Sequence, residues 1–218
     1  MDGPAGVGKS TAARLLAATC GIAYLDTGAT YRAATLKALR SGVDMNDQAA
    51  LAAIARKADI ELLPRDHGLK VLLDGEDVSA DIRLPEVSNN SHYLAAAPAV
   101  REVLVDLQRK IGARLGDFVA EGRDQGSVVF PEADIKFYFI ASAEVRAARR
   151  CTELAAAGSP VELDQVLADI HQRDQRDRGR PVAPLVRPEG AIDIDTTGMT
   201  IEQVQAELLA HVEARPCR

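Results

Sequence analysis

Residues 3–10 read GPAGVGKS and fit the pattern G-x-x-x-x-G-K-[ST], which ends here on Lys9 and Ser10. Small residues in such a loop let successive backbone N–H groups turn inward and surround phosphate oxygens. The segment at 9–20 consists of strong helix formers, and a helix N-terminus adds partial positive charge. The stretch therefore predicts a P-loop, the phosphate-binding loop of many ATP- and GTP-binding proteins.

The residues of the loop have separate expected roles. The ammonium group of Lys9 is expected to act on the β- and γ-phosphates of ATP, so Lys9 is a predicted catalytic residue. The hydroxyl of Ser10 is expected to bind Mg²⁺, the expected cofactor, and Ser10 is the one metal ligand that we predict. The predicted ATP-binding residues of the loop are Gly3, Pro4, Ala5, Gly6, Val7, Gly8, Lys9, Ser10 and Thr11.

Helical and strand-like segments alternate beyond the loop. Short apolar runs predict strands at 22–26, 117–121, 135–141 and 191–195. Helix-forming segments lie at 9–20, 29–41, 47–57, 85–115 with a break near Pro98, 143–156, 161–178 and 200–213. Residues 59–79, two alternating segments around PRDHG, predict an inserted antiparallel hairpin. Strands that alternate with helices predict an α/β fold with a parallel sheet.

Composition excludes several kinds of partner. The 218 residues carry a formal net charge of −6, whereas nucleic-acid binding depends on Lys and Arg that neutralise phosphates. No apolar run has the length of a membrane span, and the three cysteines are far apart and outside any metal-ligand spacing. We therefore expect a cytoplasmic protein that binds neither nucleic acid nor membrane. Since no uncommitted apolar stripe is evident, we expect a monomer.

The start of the chain departs from the usual P-loop pattern. Only Met1 and Asp2 precede Gly3, whereas a strand of about five residues usually leads into such a loop. Our hypothesis is that the native protein begins several residues upstream of Met1, with an apolar segment that completes the first strand.

The rest of the sequence separates the classes of P-loop protein. A GTPase would carry an Asn-Lys-x-Asp segment that reads guanine, and none of the asparagines is followed by lysine. Residues 173–180, RDQRDRGR, contain four arginines in a helix that Gly179 and Pro181 terminate. This pattern predicts a mobile arginine lid over phosphates, because planar guanidinium groups suit phosphate recognition. The alternative is a solvated helix face with ion pairs between successive turns.

Seven motifs, spread over the chain from Asp2 to the last predicted helix, resemble those of one family. They are DGPAGVGKST, YLDTGATYR, LLDGEDVSADIR, AVREVL, EGRDQGSVVFPEADIKFYFIAS, RAARR and RDQRDRGRPVAPL, in that order. The chain resembles bacterial cytidylate kinase, a nucleoside monophosphate (NMP) kinase. The resemblance implies a transferase that passes the γ-phosphoryl group of ATP to CMP or dCMP, giving ADP and CDP or dCDP.

The resemblance also implies an architecture. The family combines a parallel-sheet P-loop kinase core with an inserted small antiparallel NMP-binding subdomain and a helical arginine lid. For this chain we expect one domain, residues 1–218, with its core at 1–57 and 101–218. The NMP-binding insert is expected at about 58–100 and the lid at about 158–181.

Matching motif positions imply site residues. Family positions that read the cytosine edge are occupied by Thr27, Arg101 and Asp124. Those that grip the acceptor phosphate are occupied by Arg32 and Arg123. Lid positions that reach the acceptor sugar and the phosphates in transfer are occupied by Arg173, Asp177 and Arg180. Positions near the ATP adenine and the lid are occupied by Arg149 and Arg150.

The expected site follows from these positions. The expected CMP-binding set is Thr27, Tyr31, Arg32, Arg101, Arg123, Asp124, Asp177 and Arg180. The expected catalytic set is Lys9, Arg123, Arg173 and Arg180, and Arg149 joins the ATP-binding set. Gln125 stands where the family has an aliphatic residue, a departure that we expect to be tolerated.

The chemistry of the acceptor leaves two alternatives. A phosphate monoester has its second pKa at about 6, so its oxygen is anionic at pH 7 and needs no general base. A kinase that acts on a hydroxyl group would use an aspartate as base, and Asp124 could serve. A kinase for another nucleotide or small metabolite, such as shikimate, therefore stays open. The third possibility is a non-catalytic ATP-binding module.

Overall fold

The computed structural model describes residues 1–65, 68–156 and 158–214. The α-helices of these residues are α1 (Lys9–Cys20), α2 (Thr27–Arg40), α3 (Gln48–Lys57), α4 (Pro85–Ala96), α5 (Pro98–Leu115), α6 (Ala143–Ala156), α7 (Leu163–Arg178) and α8 (Ile201–Glu213). The strands are β1 (Ala23–Asp26), β2 (Ile60–Arg65), β3 (Gly68–Leu73), β4 (Glu76–Asp77), β5 (Phe118–Glu121), β6 (Phe137–Ile140) and β7 (Ile192–Asp195). A 3₁₀ turn at Asp81–Arg83 and a π-helix at Gln125–Val129 accompany them.

The first of two compact units combines Met1–Thr19 with Gly122–Arg218. In this unit β6 and β7 pair in parallel, and Asp2 forms a single parallel bridge with Tyr138 of β6. Helices α6 and α7 pack on each other around a small core of Ala147, Val166 and Ile170. The P-loop thus starts beside β6, the strand that anchors Asp2.

The second unit, Cys20–Glu121, contains both kinds of strand pairing. Strands β1 and β5 are parallel, whereas β2, β3 and β4 form an antiparallel sheet in that order. Helices α2 and α4 pack together, as do α3 and α5. Fully buried side chains of this unit include Leu25, Leu51, Leu94 and Leu104.

Local sequence explains where the site-bearing helices begin. Asp26 caps α2, since its carboxylate accepts from the backbone N–H of Ala29 at 3.0 Å. Helix α4 ends at Ala96 and α5 starts at Pro98, because proline is tolerated only in the first turn of a helix. Of these helices, α2 carries the predicted site residues Thr27, Tyr31 and Arg32, and α5 carries Arg101.

The predicted fold class is confirmed, with parallel strand pairs, covering helices and an inserted antiparallel sheet. The sequence does not predict β4, the 3₁₀ turn or the π-helix. The predicted PRDHG turn lies partly outside the described residues, at 66–67. One domain with an insert and a lid at the expected bounds stays a prediction. Among residues 1–65, 68–156 and 158–214, no helix is both long and apolar enough to cross a bilayer.

Candidate active site

Backbone geometry shapes the P-loop. Gly3 has a φ of 147°, and a Cβ there would lie 2.5 Å from the carbonyl oxygen of Phe139, so only glycine fits. The loop then enters α1, where the backbone N–H of Ala12 donates to the carbonyl of Gly8 at 3.0 Å. A tight turn beside a strand that leads into a helix N-terminus is the arrangement that binds phosphate.

The side chain of Lys9 lies within the loop, and the residue is 4% exposed. Its ammonium group donates to the carbonyl oxygens of Gly3 and Pro4, at 2.8 and 2.7 Å. These bonds hold the positive charge at the phosphate-binding loop instead of in solvent. Ser10 and Thr11 follow in the first turn of α1, and both are exposed.

The side chains near the loop that could bind a metal fit an Mg²⁺ ion that is bound mainly by the nucleotide. Ser10 is the second residue of α1 and is exposed, so its hydroxyl is a candidate ligand for an ion that phosphates also bind. In the described part of the chain, His, Cys, Asp and Glu form no group that could cage a metal. Because Mg²⁺ keeps several waters and takes ligands from nucleotide phosphates, one hydroxyl is an adequate protein ligand.

A buried ion pair lies beside the P-loop. Arg146 of α6 donates to both oxygens of Asp174 of α7, at 3.0 and 2.6 Å, and the two side chains are 4% and 5% exposed. Arg146 also donates to the carbonyls of Ala5 and Ala141, at 3.1 and 3.2 Å. One guanidinium group therefore joins the P-loop, the end of β6 and α7, the helix that carries Arg173 and Asp177.

Arg149 is tied to the segment after β7. Its guanidinium group donates to the hydroxyl and the carbonyl of Thr196. The hydroxyl of Thr196 in turn donates to the carbonyl of Val7 in the P-loop at 3.1 Å. The neighbouring Arg150 is exposed and pairs with Glu153. Of these two arginines, Arg149 is the one linked to the predicted ATP-binding loop.

Three predicted acceptor and lid residues form one cluster in the first unit. The Nε atom of Arg123 donates to Oδ2 of Asp177 at 2.9 Å, and Nη2 of Arg180 lies 3.9 Å from Oδ1 of Asp177. The exposed fraction of the side chain is 20% for Arg123, 16% for Asp177 and 9% for Arg180. Arg173, one turn before Asp177 on α7, is exposed. The structure thus brings two of the predicted catalytic arginines onto one carboxylate.

The arginines set the ionisation of Asp177. Burial on its own would raise the pKa of this carboxyl group, but the charges of Arg123, Arg180 and Arg173 and the hydrogen bond from Arg123 outweigh burial. The pKa of Asp177 therefore lies below its ordinary value, and the carboxylate is ionised at neutral pH.

We expect Asp177 to stabilise the fold above about pH 4 and to lose that contribution as the pH falls further. A carboxyl pKa that is lower in the folded state adds stability above the unfolded pKa, and the addition disappears as the folded group protonates. Asp177→Asn should therefore cost about 2 kcal/mol at pH 7, and less below pH 4. Urea unfolding of both proteins from pH 3 to 8 measures the difference.

The control for this experiment is Asp193→Asn. Asp193 belongs to an exposed pair with Arg187, whose side chains are 46% and 48% exposed, and such pairs contribute at most about 1 kcal/mol. A difference between wild type and Asp177→Asn that grows on acidification would contradict the assignment.

The first turn of α2, in the second unit, holds Thr27, which is 2% exposed. Its hydroxyl donates to the backbone carbonyl of Glu121 at 2.7 Å. The carbonyl of Thr27 accepts from the hydroxyl of Thr30 at 2.8 Å, and the side-chain amide of Gln108 donates to that same hydroxyl at 2.8 Å. The proton of the Thr27 hydroxyl is therefore committed to Glu121, so this hydroxyl faces other groups as an acceptor.

Two arginines of the predicted site, Arg32 and Arg101, have hydrogen-bond partners on α2 or at its N-cap. Arg32 donates to Asp26 at 2.6 Å, and a Cβ on Gly28 would lie 2.8 Å from the Arg32 guanidinium. Arg101 of α5, which is 3% exposed, donates to the hydroxyl of Tyr31 at 3.1 Å. The structure therefore fixes both arginines by contacts to groups of α2 or its cap.

The predicted residues fall into two units. The first unit contains the P-loop set, Arg123, Asp124, Arg149, Arg173, Asp177 and Arg180. The second contains Thr27, Tyr31, Arg32 and Arg101. Asp124 is 4% exposed and directly precedes the π-helix. The function of each residue in substrate binding or transfer stays a prediction.

Several buried charges that support the site were missed by the sequence analysis: Asp2, Asp26, Glu121, Arg146 and Asp174. Asp26 had only a partial signal: Asp is a favoured N-cap, but the helix was predicted to begin at residue 29, whereas α2 begins at Thr27. The partnership of Arg146 and Asp174 had none, since 28 positions separate them and no local pattern joins them.

The whole described chain is similar to one protein family. A family model described as cytidylate kinase matches residues 1–214. A cytidylate kinase of Carboxydothermus hydrogenoformans is 47% identical over 209 residues, which cover 96% of this chain and 94% of that protein. A cytidylate kinase of Caldanaerobacter subterraneus subsp. tengcongensis is 50% identical over 204 residues, with coverages of 94% and 89%.

A solved structure shares the fold at low sequence identity. An uncharacterized protein from Eubacterium ventriosum superposes with a TM-score of 0.51 and 12% identity, over 98% of this chain and 96% of that one. At this identity the likeness concerns the fold alone.

Proposed function

Since this chain belongs to the cytidylate kinase family, we propose that it transfers the γ-phosphoryl group of ATP to CMP or dCMP. One observation carries the proposal. A single compact unit contains the P-loop with Lys9 and also Arg123 and Arg180, which both contact Asp177. Phosphoryl transfer between two anions needs this concentration of positive charge, because electrostatic stabilisation is its main source of catalysis.

On the donor side, the P-loop binds the phosphates of ATP through its backbone N–H groups and the N-terminus of α1. Lys9 lies within the loop, so its ammonium group can exchange the carbonyls of Gly3 and Pro4 for phosphate oxygens. Ser10 would hold Mg²⁺, which supplies positive charge to the phosphates. We assign Arg149, which donates to Thr196, to act near the nucleotide base.

The transfer itself needs no general base. The phosphate oxygen of CMP is already anionic at pH 7, because the second pKa of a phosphate monoester is about 6. This oxygen attacks the γ-phosphorus, a new P–O bond forms, and the bond from the γ-phosphorus to the bridging oxygen of ADP breaks. We assign Arg123, Arg173 and Arg180 to neutralise the charge of the phosphoryl group in transit, together with Lys9.

For the binding of CMP, the second unit offers a hydrogen-bond acceptor to the amino group of cytosine. The hydroxyl of Thr27 donates its proton to the carbonyl of Glu121, so towards a ligand it can act only as a hydrogen-bond acceptor. The amino group of cytosine can donate to this hydroxyl, whereas the carbonyl that uracil carries in that place cannot. Arg101 can donate to the ring nitrogen and carbonyl of cytosine, and Arg32 to the acceptor phosphate. In the first unit we assign Asp124 to accept from the amino group, and Arg123 to bind the acceptor phosphate as well as the group in transit.

Thr27→Val tests the assignment of the base-reading hydroxyl. Valine has the shape of threonine but cannot accept a hydrogen bond. We expect kcat/KM for CMP to fall more than kcat/KM for UMP, so that the ratio between them narrows by about tenfold, equivalent to about 1.4 kcal/mol. Steady-state kinetics with both acceptors at saturating ATP measures the ratio.

Thr35→Val is the matched control for Thr27→Val. Thr35 is a fully buried threonine of the same helix whose hydroxyl donates to the carbonyl of Tyr31 at 2.7 Å. It has no predicted role, so its loss should leave the CMP/UMP ratio unchanged. Equal losses on CMP and UMP for Thr27→Val would show that Thr27 supports the site without reading the base.

One coupled assay tests the proposed function. The purified protein is given ATP, Mg²⁺ and, separately, CMP, dCMP, UMP, AMP and shikimate, and ADP release is followed. The expected result is rapid turnover with CMP or dCMP. Faster turnover with another acceptor would favour a kinase for that metabolite, and ATP binding without turnover on any acceptor would favour a non-catalytic module.

A further inference from the structure

Asp2 lies directly before the P-loop and is 1% exposed. Its backbone N–H donates to the carbonyl of Phe137 at 2.9 Å, and its carbonyl accepts from the N–H of Phe139 at 2.7 Å. Both main-chain groups of Asp2 are thus paired with β6. The position of its side chain is therefore fixed by the sheet.

The carboxylate of Asp2 binds the start of the π-helix. Its Oδ1 accepts from the backbone N–H of Gln125 and its Oδ2 from that of Gly126, each at 2.7 Å. Helix starts leave such donors without partners inside the helix, and hydrogen bonds to an ionised acceptor are about twice as strong as neutral ones. A Cβ on Gly126 would lie 3.1 Å from both Lys136 and Pro188, so this segment is tightly confined where Asp2 binds it.

The preceding residue holds the other end of the same segment. The backbone N–H of Gly122 donates to the carbonyl of Met1 at 3.0 Å. Residues 122–126, which we call the acceptor loop, are thus bound at both ends by two consecutive residues. Between the two attachment points lie only Arg123 and Asp124.

We propose that Asp2 is a positioning residue for the acceptor, whose carboxylate sets the placement of Arg123 and Asp124 by binding the N–H groups of the acceptor loop. The inference rests on the proposed function, in which Arg123 grips the acceptor phosphate and Asp124 reads the base. Asp2 is contiguous with the ATP-binding loop in sequence, yet its side chain acts on the acceptor. A shift of the acceptor loop moves both groups together, because Arg123 directly follows one attachment point and Asp124 directly precedes the other.

Asp2→Asn tests the proposal. The amide replaces one accepting oxygen by an NH₂ group that faces a backbone N–H, so one of the two bonds is lost. We expect the KM for CMP to rise about tenfold and the CMP/UMP ratio of kcat/KM to narrow about tenfold, as for the loss of one buried hydrogen bond. The KM for ATP should change less than about twofold, because the backbone of Asp2 and the P-loop are retained.

A control separates positioning from loss of stability. Val204→Ala truncates a side chain of α8 that is 4% exposed in the same unit, and its melting temperature is compared with that of Asp2→Asn. Kinetics are measured well below both melting temperatures. If Val204→Ala produces the same change in the CMP/UMP ratio, or if Asp2→Asn raises the KM values for ATP and CMP equally, Asp2 is merely structural and the proposal is wrong.

A second variant and the wild-type protein complete the test. If Asp2→Asn does not fold, Asp2→Glu, which keeps the charge but displaces it by one methylene, is measured in the same way. An acceptor-specific loss in Asp2→Glu supports the proposal, and unchanged acceptor kinetics overturn it. Wild-type protein without CMP turnover would overturn the proposed function and this role of Asp2 together, whereas normal wild-type turnover with unaltered Asp2→Asn kinetics overturns the role of Asp2 alone.

Discussion

Lys9→Ala is expected to reduce kcat by about 10³-fold or more while the fold persists. In the proposed mechanism the ammonium group acts on charge that develops on the phosphates during transfer, so its loss should raise the barrier more than it weakens ATP binding. In the structure the same group donates to the carbonyls of Gly3 and Pro4. Because those carbonyls lose a donor in the variant, a modest fall in melting temperature should accompany the loss of activity.

Single-turnover and steady-state kinetics of Lys9→Ala with ATP and CMP, beside its circular dichroism spectrum, measure these effects. The control is Lys37→Ala. Lys37 donates to Asp74 and to the carbonyl of Lys57 in the second unit and has no predicted role, so kcat should stay near the wild-type value. Near-normal turnover by Lys9→Ala would refute the assignment of the P-loop as the phosphate-donor site.

The order of helices and strands could be predicted because each element depends mainly on nearby residues. Helix α1 requires only the helix formers after Lys9 and a stop at Gly21, which has a φ of 66°. The boundary between α4 and α5 follows from Pro98 alone. The π-helix Gln125–Val129 differs, because the carboxylate that binds its first N–H groups belongs to Asp2, 123 positions away. No local pattern encodes that contact.

For the site, the sequence identified residues but not their hydrogen bonds. The P-loop motif is sufficient to name Lys9, and the resemblance to the family is sufficient to name Thr27. That the Thr27 hydroxyl donates to Glu121, 94 positions away, is a property of the fold, and it leaves this hydroxyl only the role of acceptor towards a further partner. The charge of Arg146 was visible in the sequence, but its burial against Asp174 was not. Long-range polar contacts therefore account for most of what only the structure reveals.

The arginines of the predicted lid are expected to give the second large effect. Guanidinium groups that contact a phosphoryl group in transit contribute as much as about 10³–10⁵ in rate. We expect Arg173→Ala and Arg180→Ala each to lower kcat by a large fraction of that factor. Their effects on stability should differ, because Arg173 is exposed, whereas the Arg180 side chain is 9% exposed beside Asp177. Arg180→Ala should therefore lower the melting temperature more than Arg173→Ala does.

Arg176→Ala is the matched control on the same helix. Arg176 is exposed and donates to Gln172 one turn earlier, and it lies outside the predicted set. Its replacement should leave kcat almost unchanged, which separates a specific contact with the phosphates from the general positive charge of α7. Measurements of kcat and melting temperature for the three variants decide between the two interpretations of RDQRDRGR. If Arg173→Ala and Arg180→Ala keep the kcat of Arg176→Ala, and stability alone changes, the run is a solvated ion-pair face and the lid assignment is wrong.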